Sequence, residues 1–420
     1  VRPPLPGGPY LVVGLARSGI AAALALRARG EEVLAVDARA PEAGRLVAAG
    51  VEVHLNEPGD QLLDRVRTLV KSPGVPQDAP VVRAARAAGI AVLGELELAW
   101  RMLPNDVIAV TGTNGKTTTT ELIGHVYREA GLPVAVAGNV GTALSSLVGE
   151  LDPAATIVCE CSSFQLEDTR EFAPDAAVLL NLAPDHLDRH GDYDRYVAAK
   201  LNAFRRQPAT AVAIAPRDVT LPGAARRIAF GADGPDVALA EAIRLPGAHN
   251  RQNAMAAAAA ALSRGIGEDA VREGLRTFPG VAHRLELVAE RDGVAYVNDS
   301  KATNVASAIV ALSSFPGRPV QLIAGGVTKG QDFAPLAPLV AARCAAVHLI
   351  GEGAGELHAA LGRAGVPLLD AGDLPRALER ARAAAGPGDV VLLSPACASF
   401  DQYASFEERG EHFRRLVEAL

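Results

Sequence analysis

Cysteine is scarce in this chain of 420 residues: Cys159, Cys161, Cys344 and Cys397 are the whole set, and no two form a CxxC pair. So few thiols in so long a chain exclude a disulfide framework, and the missing pair spacing removes a common zinc signature. A reducing cytoplasm is the expectation. Long apolar runs are lacking too. The alanine-rich stretch Ala254–Leu262 is too short to cross a bilayer and stops at Ser263-Arg264-Gly265. The opening VRPPLPGGPY has no basic segment followed by an apolar one, so no secretory signal is expected there. Nor is positive charge in excess: 41 Lys+Arg stand against 48 Asp+Glu, a net charge of -7. That balance favours neither nucleic acid nor an anionic membrane as the main partner.

Lysine is the most informative scarcity. Only Lys71, Lys116, Lys200, Lys301 and Lys329 occur; every other basic residue is arginine. A lysine kept against such a bias marks a place where a compact ammonium, or an amine able to react, does what guanidinium cannot. What the chain has in plenty is ordinary globular material, 49% hydrophobic and 21% charged, enough for large cores. Its length suggests two to four domains.

The pattern along the chain is α/β throughout. Tyr10–Val13 reads as a strand, Gly14–Gly19 as a glycine turn, Ile20–Arg29 as a helix and Glu32–Val36 as a second strand ending at Asp37. That is the opening of a doubly wound parallel sheet. Further strands are expected at Leu69-Val70 leading into the Lys71–Gly74 turn, and at Asp106–Val110, Val134–Ala137, Thr156–Glu160, Ala176–Leu180, Ala211–Ala215, Val294–Val297, Val320–Ala324, Ala346–Ile350 and Val390–Leu393, with a loop at Thr111–Thr120 and helices at Glu121–Ala130, Tyr193–Phe204, Asn250–Arg264 and Glu268–Thr277. Three consecutive α/β domains follow, with boundaries at residues 1–94, 95–280 and 281–420.

Ala109-Val110-Thr111-Gly112-Thr113-Asn114-Gly115-Lys116-Thr117-Thr118 lies between an expected strand and helix. In that context backbone N–H groups surround a phosphate, lysine neutralises it, and a hydroxyl reaches Mg²⁺. The first glycine of the GxxxxGK[ST] spacing is replaced by Val110, but the G-K-T remains. Glu160 ends a strand where a carboxylate suits Mg²⁺, or simply caps Ser162 or Ser163. Asp185-His186-Leu187-Asp188-Arg189-His190 is either a solvated turn or a metal-bearing segment. Lys200 lies one helical turn from both Tyr196 and Phe204, so it either snorkels over an apolar face or offers a reactive amine. Asn250 and Asn253 share one helix face and are equally readable as caps. Gly14 and Gly19 form only a degenerate turn, because Ala16 breaks GxGxxG; NAD is weakly indicated, and Asp37 suits a ribose of either a dinucleotide or UDP.

Taken in order, these segments resemble the Mur ligase family, which also includes the folylpolyglutamate synthetases. The resemblance rests on Thr111–Thr117, Gly138-Asn139-Val140-Gly141, Glu160–Glu167, Asn181–His190, Tyr196–Lys200, His249–Asn253, His283-Arg284, Asn298–Asn304, Gly325-Gly326 with Lys329-Gly330, and Ser394–Gln402 through Phe406 and Arg409-Gly410. It spans about Val12 to Phe413, and its last three segments resemble the D-glutamate-adding branch.

The resemblance implies a Rossmann-like UDP-binding domain, a central P-loop-type ATPase domain and a Rossmann-like C-terminal domain. It further implies ATP and two Mg²⁺ ions, with Gly112, Thr113, Asn114, Gly115, Lys116, Thr117, Thr118, Asn250, Asn253, Arg284 and Asp299 around ATP. Thr117, Glu160, His186 (not His190) and Lys200 would serve the metals, Lys200 as a carbamate. Ser18, Asp37, Ser72, Asn139 and His186 would hold a UDP-MurNAc-L-Ala substrate; Thr303, Lys329, Ser399 and Phe406 would hold D-glutamate. Lys116, Glu160, His186, Lys200, Arg284 and Lys301 would carry the chemistry, Lys301 serving the amino acid or a phosphoryl oxyanion. A monomer whose third domain closes over ATP is expected. Lys71 has no assignment beyond support of the Ser72-Pro73-Gly74 turn. The competing classes are a related ligase acting on folate or another amino acid, an NAD-dependent oxidoreductase, which leaves the Lys116 loop unexplained, and a UDP-sugar sensor, which has no need of Lys116, Glu160, His186 and Lys200 together.

Overall fold

Three sheets organise the chain in the computed structural model, which describes residues 2–39, 43–231, 234–245 and 247–420. The first has strands β1 (Tyr10–Val13), β2 (Val33–Asp37), β3 (Glu52–Leu55), β4 (Thr68–Lys71) and β5 (Ala91–Gly94), all parallel in the order 3-2-1-4-5. The second has β6 (Val107–Thr111), β7 (Val134–Gly138), β8 (Thr156–Glu160), β9 (Ala176–Leu179), β10 (Val212–Pro216) and β11 (Arg226–Phe230), parallel in the order 11-10-9-6-8-7. The third has β12 (Glu286–Arg291), β13 (Val294–Asn298), β14 (Val320–Gly325), β15 (Cys344–Ile350), β16 (Leu368–Gly372) and β17 (Val390–Leu393), ordered 12-13-17-14-15-16. Only its edge strand β12 runs antiparallel to its neighbour.

These strands form where the residues can be buried on both faces. VIAVT in β6 and VLAVD in β2 are buried at every position, as helices on both sides of a parallel sheet demand. The expected central strands agree with the observed ones to within one or two residues. The strands not expected from sequence are β3, β5, β11, β12 and β16, which flank the sheets. In β3, β11, β12 and β16 several positions are exposed or half-buried, so the apolar run that marks a central strand is missing. β5 has an apolar run, AVLG, that was not singled out from the sequence.

One helix begins earlier than expected. The loop read as Thr111–Thr120 ends at Gly115, and the helix runs Lys116–Glu129 with Thr117 to Thr120 buried in its first turns. Threonine is a weak helix former, but here burial decides, and the Thr120 hydroxyl donates to the Lys116 carbonyl at 2.8 Å.

The described chain divides into two compact units, Val1–Arg244 with His249–Phe278, and Leu245–Ala248 with Pro279–Leu420. The first holds two sheets and the second holds one. Among the described residues no helix is long and apolar enough to cross a membrane.

Candidate active site

In the second sheet β6 is flanked by β8 and β9, so the direction of winding reverses at its carboxyl end. Ligands of open α/β sheets bind at such a point. Here the chain leaves β6 through Gly112–Gly115 and enters the helix at Lys116. Gly112 (φ 149°) and Gly115 (φ 83°) take backbone angles that side chains resist, and a Cβ on Gly115 would lie 2.2 Å from Asn253 Oδ1. Asn253 therefore packs directly on the loop, from a helix (Ala248–Ser263) on which Asn250 is also buried.

Two lysines converge on this turn. Lys116 Nζ donates to the carbonyls of Gly112 (3.1 Å) and Thr113 (2.9 Å), while Lys200 Nζ, from the helix Tyr193–Arg205, donates to Gly112 O at 2.6 Å. Lys200 also sits 4.6 Å over the Tyr196 ring. Its side chain is buried; that burial, reinforced by the charge on Lys116 and opposed by Asp185, Cys161 and Glu160, brings its pKa down to about 7. Thr113 and Asn114 tie the loop to the segment after β9: Thr113 Oγ1 is 2.9 Å from Tyr196 Oη, and Asn114 N donates to Asn181 Oδ1 at 2.9 Å. Thr117 and Thr118 are buried at the start of the helix.

Glu160 closes β8 beside them. Its Oε1 accepts from Asn139 Nδ2 at 3.0 Å, and Asn139 N donates to the Glu160 carbonyl at 2.9 Å. Its Oε2 is buried without a partner. A buried carboxylate oxygen left unpaired is costly and suits a cation. Among the described residues no three His, Cys, Asp or Glu side chains converge as a metal site. A Mg²⁺ here would therefore complete its shell with water and phosphate oxygens, its usual habit beside a nucleotide. The residues present fit that ion.

His186 takes a left-handed conformation (φ 51°) before the short helix Leu187–His190. Its side chain is half-exposed, its ring lies 4.8 Å from that of Phe164 at a tilt of 52°, and its Nε2 lies 3.4 Å from Asp185 Oδ2. His190, by contrast, is buried, with Nε2 3.0 Å from Ser163 Oγ and Nδ1 3.3 Å from Glu167 Oε2. Of the two imidazoles, His186 is the accessible one.

In the first sheet Ser72 Oγ donates to the Gly14 carbonyl at 2.7 Å, and Asp37 Oδ2 accepts from Leu15 N at 2.7 Å. The turn at Gly14 is thus pinned from both neighbouring strand ends, with Ser18 in the first turn of the helix Arg17–Ala28. Asp37 Oδ1 also accepts from Arg39 N at 2.8 Å.

The second unit gathers the remaining residues. Arg284 stands between two non-glycine residues in left-handed conformations, His283 (φ 61°) and Leu285 (φ 45°). Such strain persists only where the surroundings over-determine it. Asp299 supplies part of that constraint: it is buried, accepts from Leu285 N (3.2 Å) and Ser394 Oγ (2.8 Å), and burial lifts its pKa to about 7. With both oxygens engaged internally, Asp299 supports the Arg284 turn. Lys301 Nζ lies 5.9 Å over the half-buried Phe406 ring, and Thr303 N donates to the Lys301 carbonyl at 2.8 Å. Ser399 is buried, whereas Lys329 is exposed in a left-handed turn.

Arg409 is the residue whose part sequence reasoning missed. It is 1% exposed, and its guanidinium donates to Ser300 Oγ (3.0 Å), Ser300 O (2.9 Å) and Cys397 O (3.1 Å). One side chain thereby joins the Lys301 loop, the Ser399 loop and the helix carrying Phe406. Burial lowers its pKa to about 10, still well above neutrality. The readable signal was an arginine on the inner face of an amphipathic helix, next to Gly410, where a Cβ would strike the His283 ring.

Fold and site together define an α/β protein with a glycine loop between strand and helix and a buried lysine of lowered pKa beside it. The chain belongs to the Mur ligase family: residues 9–94 match the Mur ligase MurD-like N-terminal domain, 110–232 the Mur ligase middle domain, and 283–397 the Mur ligase glutamate ligase domain. Two relatives named UDP-N-acetylmuramoylalanine--D-glutamate ligase are similar over nearly the whole length. That of Acidobacterium capsulatum is 44% identical, covering 98% of this chain and 96% of the relative. That of Anaeromyxobacter dehalogenans is 45% identical, covering 99% and 98%. Among solved structures, the UDP-N-acetylmuramate-alanine ligase MurC of Thermotoga maritima shares the fold, with a TM-score of 0.57 at 19% identity over 98% of this chain and 99% of that one. The E. coli FolC structure with ADP and DHPP gives 0.54 at 20% identity over 76% and 90%.

Proposed function

We propose that this chain is the ATP-dependent ligase that joins D-glutamate to UDP-N-acetylmuramoyl-L-alanine in peptidoglycan precursor synthesis, through an acyl phosphate. The observation that carries the proposal is identity of 44% and 45%, over almost the full chain, to relatives named for that reaction. We assign residues 1–94 to the UDP substrate, 95–280 to ATP and 281–420 to the amino acid, in a cytoplasmic monomer.

The chemistry follows from the residues. The donor's alanyl carboxylate attacks the γ-phosphorus of ATP; the P–O bond to ADP breaks and an acyl phosphate forms. The neutral amine of D-glutamate then attacks the acyl carbon, the C–N bond forms, and the C–O bond to phosphate breaks as the nitrogen loses its proton. Lys116, at the first turn of its helix, and the Gly112–Gly115 amides neutralise phosphoryl charge, and Arg284 adds a bidentate guanidinium. Asn250 and Asn253 line the loop beside ATP, Thr113, Asn114 and Thr118 shape it, and Asp299 keeps Arg284 in place. Glu160 Oε2, Thr117, His186 and a carbamate on Lys200 would hold two Mg²⁺ ions, which supply Lewis-acid stabilisation of phosphoryl oxygens when bound.

The carbamate has support in the Lys200 amine. With its pKa brought to about 7, a large share is neutral at cytoplasmic pH and can add to CO₂, releasing one proton and leaving an anion. Arginine cannot do this. Ser18, Asp37, Ser72 and Asn139 are assigned to the UDP-sugar, with His186 near its acyl end. Thr303, Lys329, Ser399 and Phe406 are assigned to D-glutamate, and Lys301 to its carboxylate or to the oxyanion.

The test is phosphate release from ATP with UDP-MurNAc-L-Ala, Mg²⁺ and bicarbonate, across D-Glu, L-Glu, L-Ala and L-Lys. Release with D-Glu alone is expected. Release with another amino acid reassigns the acceptor, and silence with all four, in a protein that still binds ATP, rejects the donor or the ligase activity.

A further inference from the structure

The loop Ser72–Val75, assigned above to the UDP end of the donor, is held from behind by two cations. Lys71 Nζ and Arg189 Nη2 both donate to the Val75 carbonyl, at 2.7 and 2.9 Å, and Arg189 also reaches the Pro73 carbonyl at 3.4 Å. Each cation is anchored in turn. Lys71 pairs with Asp168 at 2.8 Å, Arg189 lies 3.4 Å from Glu167, and Gln77 Nε2 donates to both carboxylates at 2.6 Å. Lys71 and Asp168 are buried almost completely, at 0% and 3% side-chain exposure. Arg189 sits three residues after His186, and its guanidinium lies 5.0 Å over the Phe164 ring, which also packs against the His186 ring. Its Nε is buried without an acceptor, so the guanidinium is placed by its two Nη2 carbonyl contacts, Glu167 and the ring.

One network therefore fixes the nucleotide loop of the first sheet against the segment that presents His186 beside the second. We propose that Lys71 and Arg189 are positioning residues forming a clamp on the Val75 carbonyl, and that this clamp sets the span between the donor's nucleotide and its reacting carboxylate. It is the element that measures donor length. The inference rests on the donor assigned under Proposed function. Its physical basis is that the donor must touch both ends at once, and misplacement by about 1 Å costs on the order of a hundredfold in rate. Ordinary support of the loop would keep nucleotide affinity; a length gauge also controls which acyl end reaches the activation site.

The experiment compares wild type with Arg189→Met, Arg189→Lys, Lys71→Met and the double variant Lys71→Met/Asp168→Leu, the last leaving no buried lone carboxylate. Kinetics are measured with UDP-MurNAc-L-Ala and with UDP-MurNAc, one residue shorter, and binding of UDP alone is followed by calorimetry. In Arg189→Met and in the double variant, KM for the donor is expected to rise about tenfold and kcat to fall about tenfold, with KM for ATP and Kd for UDP within about twofold. Preference for the full donor over the shorter one narrows about fivefold, and Arg189→Lys, which keeps one donor to Val75, recovers part of it. Equal losses in UDP affinity and donor KM, or an unchanged length preference, overturn the clamp while leaving the ligase assignment standing. A wild-type protein that neither binds nor consumes UDP-MurNAc-L-Ala overturns the ligase assignment and the clamp together.

Discussion

Two lysines of the first unit are buried to the same degree and used in opposite ways. Lys71, at the end of β4, meets a carboxylate: Asp168 at 2.8 Å compensates much of the cost of taking an ammonium out of water. Lys200 meets no carboxylate at that distance; its contacts are the Gly112 carbonyl and the Tyr196 ring, with Lys116 near enough to repel it. Burial lowers the pKa of both, but the paired one has a counter-charge to hold its proton. Charge kept by a partner makes a structural tie; burial without one leaves an amine that gives up its proton more readily. Asp168 shows the reverse side of the same pair, since burial raises its pKa against the pull of Lys71.

The contrast predicts a largest effect at Lys200. Lys200→Met should lower kcat about a thousandfold, as expected when a charged group of a metal site is lost, while Tm stays level or rises. Protein equilibrated with ¹³C-bicarbonate should show a carbamate resonance that Lys200→Met abolishes and Lys71→Met retains. A resonance that persists without Lys200 would end the distinction between the two lysines.

Next comes Lys71 itself. Lys71→Met strands the Asp168 carboxylate and should destabilise the unit by about 3 kcal/mol, read by urea unfolding. Adding Asp168→Leu should recover stability to within about 1 kcal/mol of wild type. Failure of the second change to rescue the first would mean that the pair is not what holds Lys71. Glu160→Gln should cost about a hundredfold in kcat and raise the Mg²⁺ concentration needed for half-maximal rate, because the orphan Oε2 is the atom offered to the ion.

The pH effects are smaller and of opposite sign in the two units. Lys200 has a folded pKa of about 7, below its ordinary 10.5, so the unfolded chain binds more protons between those values. Stability of CO₂-free protein should therefore rise with pH from about 7 to 10.5 and lose this slope in Lys200→Met. Asp299 has a folded pKa of about 7, above its ordinary 3.8, so the native chain binds more protons there and stability should fall as pH rises across that window. Asp299→Asn should flatten that part of the profile for a cost of about 1 kcal/mol at pH 7, measured by denaturant titration.

Much of this was legible in the residues, for a local reason. The buried parallel strands β1, β2, β6, β8 and β17 are continuous apolar runs, and the Gly112–Thr118 segment declares a phosphate loop by composition and position alone. The edge strands β3, β11, β12 and β16 were not legible, because most of their residues are exposed or half-buried and their pairing depends on the rest of the sheet. The start of the helix at Lys116 was hidden by four threonines whose burial no local propensity foretells. Arg409 stood in plain view, but its three acceptors come from residues 300 and 397, brought to it only by folding.

The sequence by itself determined the α/β class, the order of motifs, the family, and which five lysines stand among the arginines. Only the tertiary structure decided what each lysine does. Exposure, the nearest counter-charge and the distance to Gly112 O or Asp168 are set by segments remote along the chain, and the pKa of an amine is a property of that assembled environment. Lys71 and Lys200 are the same residue type in the sequence; placement beside Asp168 gives one a counter-charge, and burial beside Lys116 lowers the pKa of the other.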